Sequence, residues 1–394
     1  MERCPAPAGR PRFDIADIVR RHRPELQAEG TLTLAQRRVL SAIALCRTAA
    51  LGGHVDVCGA CGYEHPAYNS CRNRHCPKCQ ALRQERWISA RSERLLPVRH
   101  FHAVFTLPSE LRRLARYAPR EVFGALFEAA SQTLLELGDT HLGARLGITM
   151  VLHTWTRDLR FHPHVHALVT AGGLTAGGSA WRATGRKFLF PVKVMGALLR
   201  GKMMAALREL HARGRFAGFD DFDDPEAFDH LMRKLAWHDW VVYAKKPFKR
   251  VDHVLQYLGR YTHRVGIANS RILDVKSDAV TFRTKHGQSV TLAPVEFLRR
   301  FVQHVLPDGF HKIRHYGLYA GAAGEALKRA RDLFAPPPAP PLDAIADEPY
   351  SWVVELRELT GRDIRSCPHC GGVMEPHPVE APRSRAPPTI GADG

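Results

Sequence analysis

His162-Pro163-His164-Val165-His166-Ala167-Leu168-Val169 is the stretch from which the rest of the chain is best read. Its β-branched and apolar end predicts a strand. At a period of two, His164 and His166 share one face with Val165 facing outward between them. Two imidazoles so placed can hold one divalent cation and leave coordination positions open for a phosphate oxygen. A second strand, Ile148 to Thr156, lies just upstream, joined to Arg160–Thr170 by a turn around Arg157-Asp158. His100 to Leu107 is a third strand, bounded by Pro97 and Pro108. Helical patterns cover 13–45, with Leu32–Leu45 the clearest part, and also Gln80–Leu96, Leu111–Leu137 and Pro191–Arg213. Short strands are expected near Ile267–Leu273, Ala279–Arg283 and Ser289–Leu292. The Gly-rich run Ala171–Gly178 lacks the Gly-Lys-Ser/Thr ending of a nucleotide loop and reads as a strand-ending loop.

The chain has 394 residues, enough for two or three domains. Lys and Arg total 57 against 39 acids, a formal charge of +18, which favours a polyanionic partner. The start, Met1-Glu2-Arg3-Cys4-Pro5, has no apolar h-region, and no stretch is long and apolar enough to span a membrane. The expectation is a cytoplasmic protein with a polyanionic partner. In that reducing setting, clustered cysteines point to metal instead of a disulfide framework.

Cys58-Gly-Ala-Cys61 and Cys76-Pro-Lys-Cys79 are two knuckles with fourteen residues between them, the pattern of a four-thiolate zinc site. Cys46, His54, Cys71 and His75 are spare donors for a second zinc. Arg72, Arg74, Lys78, Arg83 and Arg86 surround the knuckles, as suits a module lying on phosphates. Near the other end, Cys367 and Cys370 form a lone half-site, with His369 or His377 as a third donor.

The run Leu255-Gln256-Tyr257-Leu258-Gly259-Arg260-Tyr261-Thr262-His263-Arg264 puts Tyr257 and Tyr261 on one face of a helix, Val251 to His263. A phenol is a poor nucleophile at its ordinary pKa of about 10. A cation polarising a scissile phosphate would stabilise the developing charge, and attack would give a phosphotyrosine and a free 3′-hydroxyl. Arg260 and Arg264 each follow a tyrosine by three residues, a placement suited to holding phosphate.

Taken in order, these motifs resemble the HUH-type transposases of rolling-circle insertion sequences, the two-tyrosine class with an N-terminal zinc-binding region. The matching text is 54–63, 69–79, 101–108, 162–166, 257–265 and 314–318, so the resemblance covers about residues 15 to 335. It implies an α+β fold, the HUH endonuclease core, in which helices pack on an antiparallel sheet and Phe101–Leu107 lies beside the histidine strand. It also implies His164 and His166 as ligands of Mg²⁺ or Mn²⁺, and Tyr257 and Tyr261 as nucleophiles. The third ligand stays open among His102, His162 and His263, with His162 disfavoured because Pro163 interrupts the strand.

The organisation expected is a helix and zinc module over 13–96 and a catalytic domain over 97–334. A Pro-rich linker, 335–350, then leads to a tail, 351–394. The expected activity is metal-dependent nicking and strand transfer of single-stranded DNA through a 5′-phosphotyrosine. No Gly-x-x-x-x-Gly-Lys-Ser/Thr motif is present, so a host helicase is implied. A plasmid-type replication initiator or relaxase would use the same chemistry and differ in the DNA flanking the gene. A non-catalytic zinc DNA-binding protein would leave the histidine strand and tyrosine helix unexplained. A DDE-type carboxylate site is disfavoured because the acids cluster in the Asp220–Asp224 loop.

Overall fold

A computed structural model of the chain describes residues 12–79, 81–92, 94–185, 189–222, 224, 226–248, 266–285, 287–334, 363 and 365–379. Segment 251–263, expected to carry the two tyrosines, and the Pro-rich linker lie outside these residues.

The N-terminal helical pattern is two helices, α1 (Ile15–Ala28) and α2 (Leu34–Leu45). Each has its own start signal. Asp14 accepts from the N–H of Ala16, and Thr33 with Gln36 forms a reciprocal capping box. The cysteine-rich stretch is more ordered than a loop, with a hairpin of β1 (Gly53–Cys58) and β2 (Glu64–Tyr68), followed by α3 (Ala81–Ser92). Next come β3 (His100–Thr106), α4 (Arg112–Tyr117) and α5 (Pro119–Leu142). Pro119 ends one helix and starts the next, because it has no N–H to donate and fits the first turn.

The long hairpin β4 (Ala144–Trp155) and β5 (Phe161–Thr175) follows, then β6 (Trp181–Ala183), α6 (Val192–Ala212), α7 (Ala227–Trp237) and β7 (Val242–Phe248). A small sheet, β8 (Ile272–Val275), β9 (Val280–Arg283) and β10 (Ser289–Leu292), leads into α8 (Pro294–Val302). The last described elements are β11 (Ile313–Gly317), α9 (Gly324–Asp332) and β12 (Met374–Val379).

The main sheet has the order β11-β4-β5-β3-β7, with β6 pairing β5, and every pairing is antiparallel. The fold is therefore α+β, as the resemblance implied. Helices α4, α5, α6 and α7 cover one face through Phe101, Phe105, Val165, Val169, Met150 and Leu152. Val165 is thus an inward residue, opposite Phe105 and Leu152 in register, and the histidines on either side of it face away from this core. A second core joins α1 and α2 to the β8–β10 sheet and α8, around Ile18, Leu40, Phe282, Phe297 and Phe301. The N-terminal helices therefore pack against residues some 250 positions away, as the 254-residue separation of the Ile15–Asn269 hydrogen bond shows.

The Gly-rich run continues the strand as far as Thr175 instead of ending it. The cause is crowding by its two neighbours. A Cβ on Gly173 would sit 2.6 Å from the carbonyl oxygen of Arg145 on β4, and one on Gly172 would sit 2.5 Å from that of Arg182 on β6. Only glycine lets the three backbones approach so closely. Gly173→Ala should therefore destabilise the fold by about 1–3 kcal/mol, measured as a lower urea midpoint at unchanged m-value. An unchanged midpoint would show that the sheet does not close there.

Candidate active site

The histidine face is built by strand alternation. On β5, Phe161, Pro163, Val165 and Ala167 are buried beneath the helices, while His162, His164 and His166 are turned the other way. The β4–β5 register places His153 directly opposite His164. His153, His164 and His166 each bring one ring nitrogen within 4.8 Å of the others. Nε2 of His164 and Nε2 of His166 are 3.1 Å apart. That is close to the separation of two ligands bound at about 2.1 Å and near a right angle to one cation.

The His164 tautomer follows from its outer contact. Nδ1 of His164 donates to the carbonyl of His162 at 2.7 Å, which leaves its Nε2 lone pair pointing into the trio. Nδ1 of His166 lies 2.8 Å from Nε2 of His102 on β3, so His102 orients His166 from behind. Burial lowers the pKa of His164 to about 4 and that of His102 to about 4. It also takes His166 well below the ordinary value, helped by His153, His164, His102 and Lys245 around it. The rings are neutral near pH 7, as imidazole ligands must be. Trp155 stacks on His153 with centroids 4.6 Å apart and closes that side.

His153 was not among the three candidates for a third partner. Folding the two expected strands about Arg157-Asp158 sets His153 opposite His162, and it is the register shift between His153 and Trp155 that brings it opposite His164. Of the candidates, His102 stands behind the trio and His263 lies outside the described residues. The strand runs through Pro163, since a bulge between His153 and Trp155 accommodates it. His162 nevertheless stays out of the trio and meets Arg112, whose Nη2 is 3.3 Å from its Nδ1. Arg112 and Arg160 thereby bring positive charge to the edge of the site, and with burial they lower the His162 pKa. Tyr257, Tyr261, Arg260 and Arg264 lie outside the described residues.

The two knuckles expected to share one zinc do not meet. Cys76 and Cys79 converge with Cys46 and Cys71, whereas Cys58 and Cys61 converge with Cys367 and Cys370. The reason is local: Cys46 sits at the end of α2 facing the 71–79 turn, while β1 carries Cys58 to β12. Sγ of Cys79 is 3.3 Å from that of Cys46 and 3.6 Å from that of Cys71. Bonds of about 2.3 Å to a tetrahedral zinc give edges of roughly 3.8 Å, so these four thiols fit zinc.

Neither spare histidine joins a cysteine set. His75 is buried, with Nε2 accepting from the N–H of Leu306 and Nδ1 on Asn73, and burial takes its pKa to about 3. His54 faces Asp56 at 3.3 Å. Some of the basic residues around the knuckles are also structural. Arg74 donates to the carbonyls of Leu306, Pro307 and Phe310, and Lys78 pairs with Asp14 at 2.7 Å.

Residues 18–107 match the family described as "Transposase zinc-binding domain", and residues 147–326 match the one described as "Putative transposase". The chain is 42% identical over 370 residues to a protein titled "Putative transposase y4qJ" from Sinorhizobium fredii, covering 91% of this chain and 92% of that one. It is 30% identical over 338 residues to the "Transposase for insertion sequence element IS801" of Pseudomonas savastanoi pv. phaseolicola, covering 80% and 79%. The chain belongs to the rolling-circle insertion-sequence transposases of the HUH, two-tyrosine class. No solved structure matches it. As a transposase it is an enzyme that acts on DNA, and its N-terminal cysteines supply a zinc-binding region. Among the described residues no helix is long and apolar enough to cross a membrane.

His75, His100 and His304 of this transposase are buried outside the trio, and their neutrality links its stability to pH. His75 is held at about 3, and His100 and His304 at about 4, in each case chiefly by burial. Above pH 6.5 neither the folded nor the unfolded chain protonates them. As pH falls from 6.5 toward 4, the unfolded chain binds protons that the folded chain refuses, so stability declines. The thermal midpoint should drop across this window, and His304→Gln should make the slope shallower. Equal slopes for variant and parent would refute the assignment.

Proposed function

We propose that this transposase nicks single-stranded DNA at an element end, holds the cut strand as a 5′-phosphotyrosine, and passes it to a target strand. The observation that carries this reading is the convergence of His153, His164 and His166 on one face of the sheet. Three convergent imidazoles with no thiolate among them suit a divalent cation with positions left open. Such an ion, when bound, supplies charge stabilisation to a phosphate oxygen in the transition state.

The protein's own residues do the rest. His102 and the His162 carbonyl hold the ring orientations, and Arg112 sits where a phosphate beside His162 would lie. Tyr257 and Tyr261 are assigned as the nucleophiles. The phenol oxygen forms a bond to phosphorus, the P–O3′ bond breaks, and the phenol proton ends on the leaving 3′-oxygen. The described flanks of the tyrosine segment support this assignment. Phe248 packs beside His102, with ring centroids 6.4 Å apart, while Gly266 lies against Leu159 and His304 at the hairpin turn. The trio lies between these two anchor points along the hairpin. Arg260 and Arg264 are assigned to DNA phosphates, and a host helicase is expected to supply the single strand.

Incubation with labelled single-stranded element ends and Mn²⁺ or Mg²⁺ should give a protein–DNA adduct that survives denaturation. Tyr257→Phe combined with Tyr261→Phe should abolish it, and His164→Ala with His166→Ala should reduce it by about 100-fold or more. An adduct undiminished in the double tyrosine variant would rule out these nucleophiles.

Imidazole nitrogens favour the softer ion, so Mn²⁺ should support faster adduct formation than Mg²⁺ at equal concentration. Because His164 titrates at about 4, metal-dependent activity should persist well below pH 6.5 and fail as pH approaches that lower value. A half-maximal rate at pH 6.5 would show that the rings are not shielded as described.

A further inference from the structure

Cys58 and Cys61 lie near the N-terminus and Cys367 and Cys370 near the C-terminus, yet their four Sγ atoms all lie within 4.8 Å of one another. Sγ of Cys58 is 3.5 Å from that of Cys370, and Sγ of Cys61 is 3.7 Å from that of Cys367. Those separations match the edge of a tetrahedron of thiolates around zinc, roughly 3.8 Å. They are much too long for sulfur–sulfur bonds of about 2.05 Å.

The two knuckles also repeat one another in backbone. In each, a glycine follows the second cysteine in a left-handed conformation, Gly62 at φ +69° and Gly371 at φ +76°. Each glycine N–H donates 2.9 Å to the carbonyl of the first cysteine, Gly62 to Cys58 and Gly371 to Cys367. In each, the first cysteine's N–H donates to the carbonyl five residues on, Cys58 to Tyr63 at 2.9 Å and Cys367 to Gly372 at 2.7 Å. A Cβ on Gly372 would meet Sγ of Cys58 at 3.2 Å and Sγ of Cys370 at 3.3 Å, so the backbone closes directly over the sulfurs. Around the site, β12 pairs with β1 over six residues, and the Tyr63 and His369 rings stack 4.4 Å apart.

We propose that these residues form a second structural zinc site, a ribbon split between the two ends of the chain. Half of it lies in the family's zinc-binding region and half in the tail beyond the catalytic sheet. Metal binding converts the four thiols to thiolates and releases their protons to solvent, with no change in oxidation state. The site is closed, with four protein ligands and no open position, so it is structural and not catalytic. Its effect is to pin the tail to the module across a chain separation of 306 residues. A metal clip that closes so long a loop removes much of the unfolded chain's freedom. The tail is therefore part of the N-terminal module and not an appendage behind a linker.

Metal analysis of the full-length protein should find two zinc ions bound to cysteine, and Cys367→Ser with Cys370→Ser should retain one. A parent with a single zinc, or a double variant with two, would overturn the proposal. Alkylation of the zinc-loaded parent, read residue by residue by mass spectrometry, gives a check that needs no variant. Cys58, Cys61, Cys367 and Cys370 should resist the reagent and become reactive together when a chelator is added. Reaction of Cys367 and Cys370 at free-thiol rates in the loaded protein would also refute it.

Discussion

The register of the β4–β5 hairpin is the constraint on which the active face depends. Side chains alternate with a period of two, so a slip of one residue would turn His164 and His166 into the helix-covered core. It would also bring Val165 and Ala167 out to the open face. Burial prevents this slip: Phe105, Val165, Leu152 and Met150 are removed from solvent beneath α5 and α6. The apolar face thus fixes where the polar face lies. Burial on the opposite face keeps His164 and His166 neutral, since a charged ring there would lose its hydration.

The zinc module is attached to this sheet by polar anchors placed at chain turns. Arg74 reaches three carbonyls in the 306–310 turn, and the Leu306 N–H donates to His75, so neighbouring module residues hold one loop of the catalytic part. Cys46 and Cys76 are themselves buried among the residues of the second core. A cation on a sequence is therefore ambiguous. Arg74 and Lys78 have the composition of a DNA-binding face but serve as internal ties, whereas Arg112, unremarkable in sequence, lies beside the histidine trio.

How much could be read from the sequence follows from the range of each interaction. Strands β3, β4 and β5 and the pair His164/His166 were legible because alternation is local. His153 needed two further steps, the pairing of two strands already in view and the register shift between His153 and Trp155 that sets it opposite His164. The cysteine sets were harder, since a Cys-x-x-Cys pair specifies its own geometry but not its partner. A clue was present all the same. Cys61 and Cys370 are each followed by glycine, while Cys79 is followed by Gln80, so the two glycine-bearing knuckles are the matched pair. Strands β7 and β12 carry little periodic signal and are held in place by neighbours far off in the chain, whereas helix α8 is amphipathic, with Phe297, Leu298, Phe301 and Val302 buried, and is simply short.

Donor chemistry divides the work among the three clusters. Four thiolates complete a tetrahedron and leave no position for substrate, which suits the cysteine sets to holding backbone segments together. The trio has three nitrogens on adjacent antiparallel strands. Three ligands are fewer than a divalent cation such as Mg²⁺ or Mn²⁺ takes, so an ion held by the trio would keep positions that a phosphate oxygen could fill. Separating thiolates from imidazoles also reduces competition between metals, because zinc is drawn to the thiolates first. Under the proposed function, that sorting would let one chain hold structural zinc at its thiols and a different divalent cation at its imidazoles.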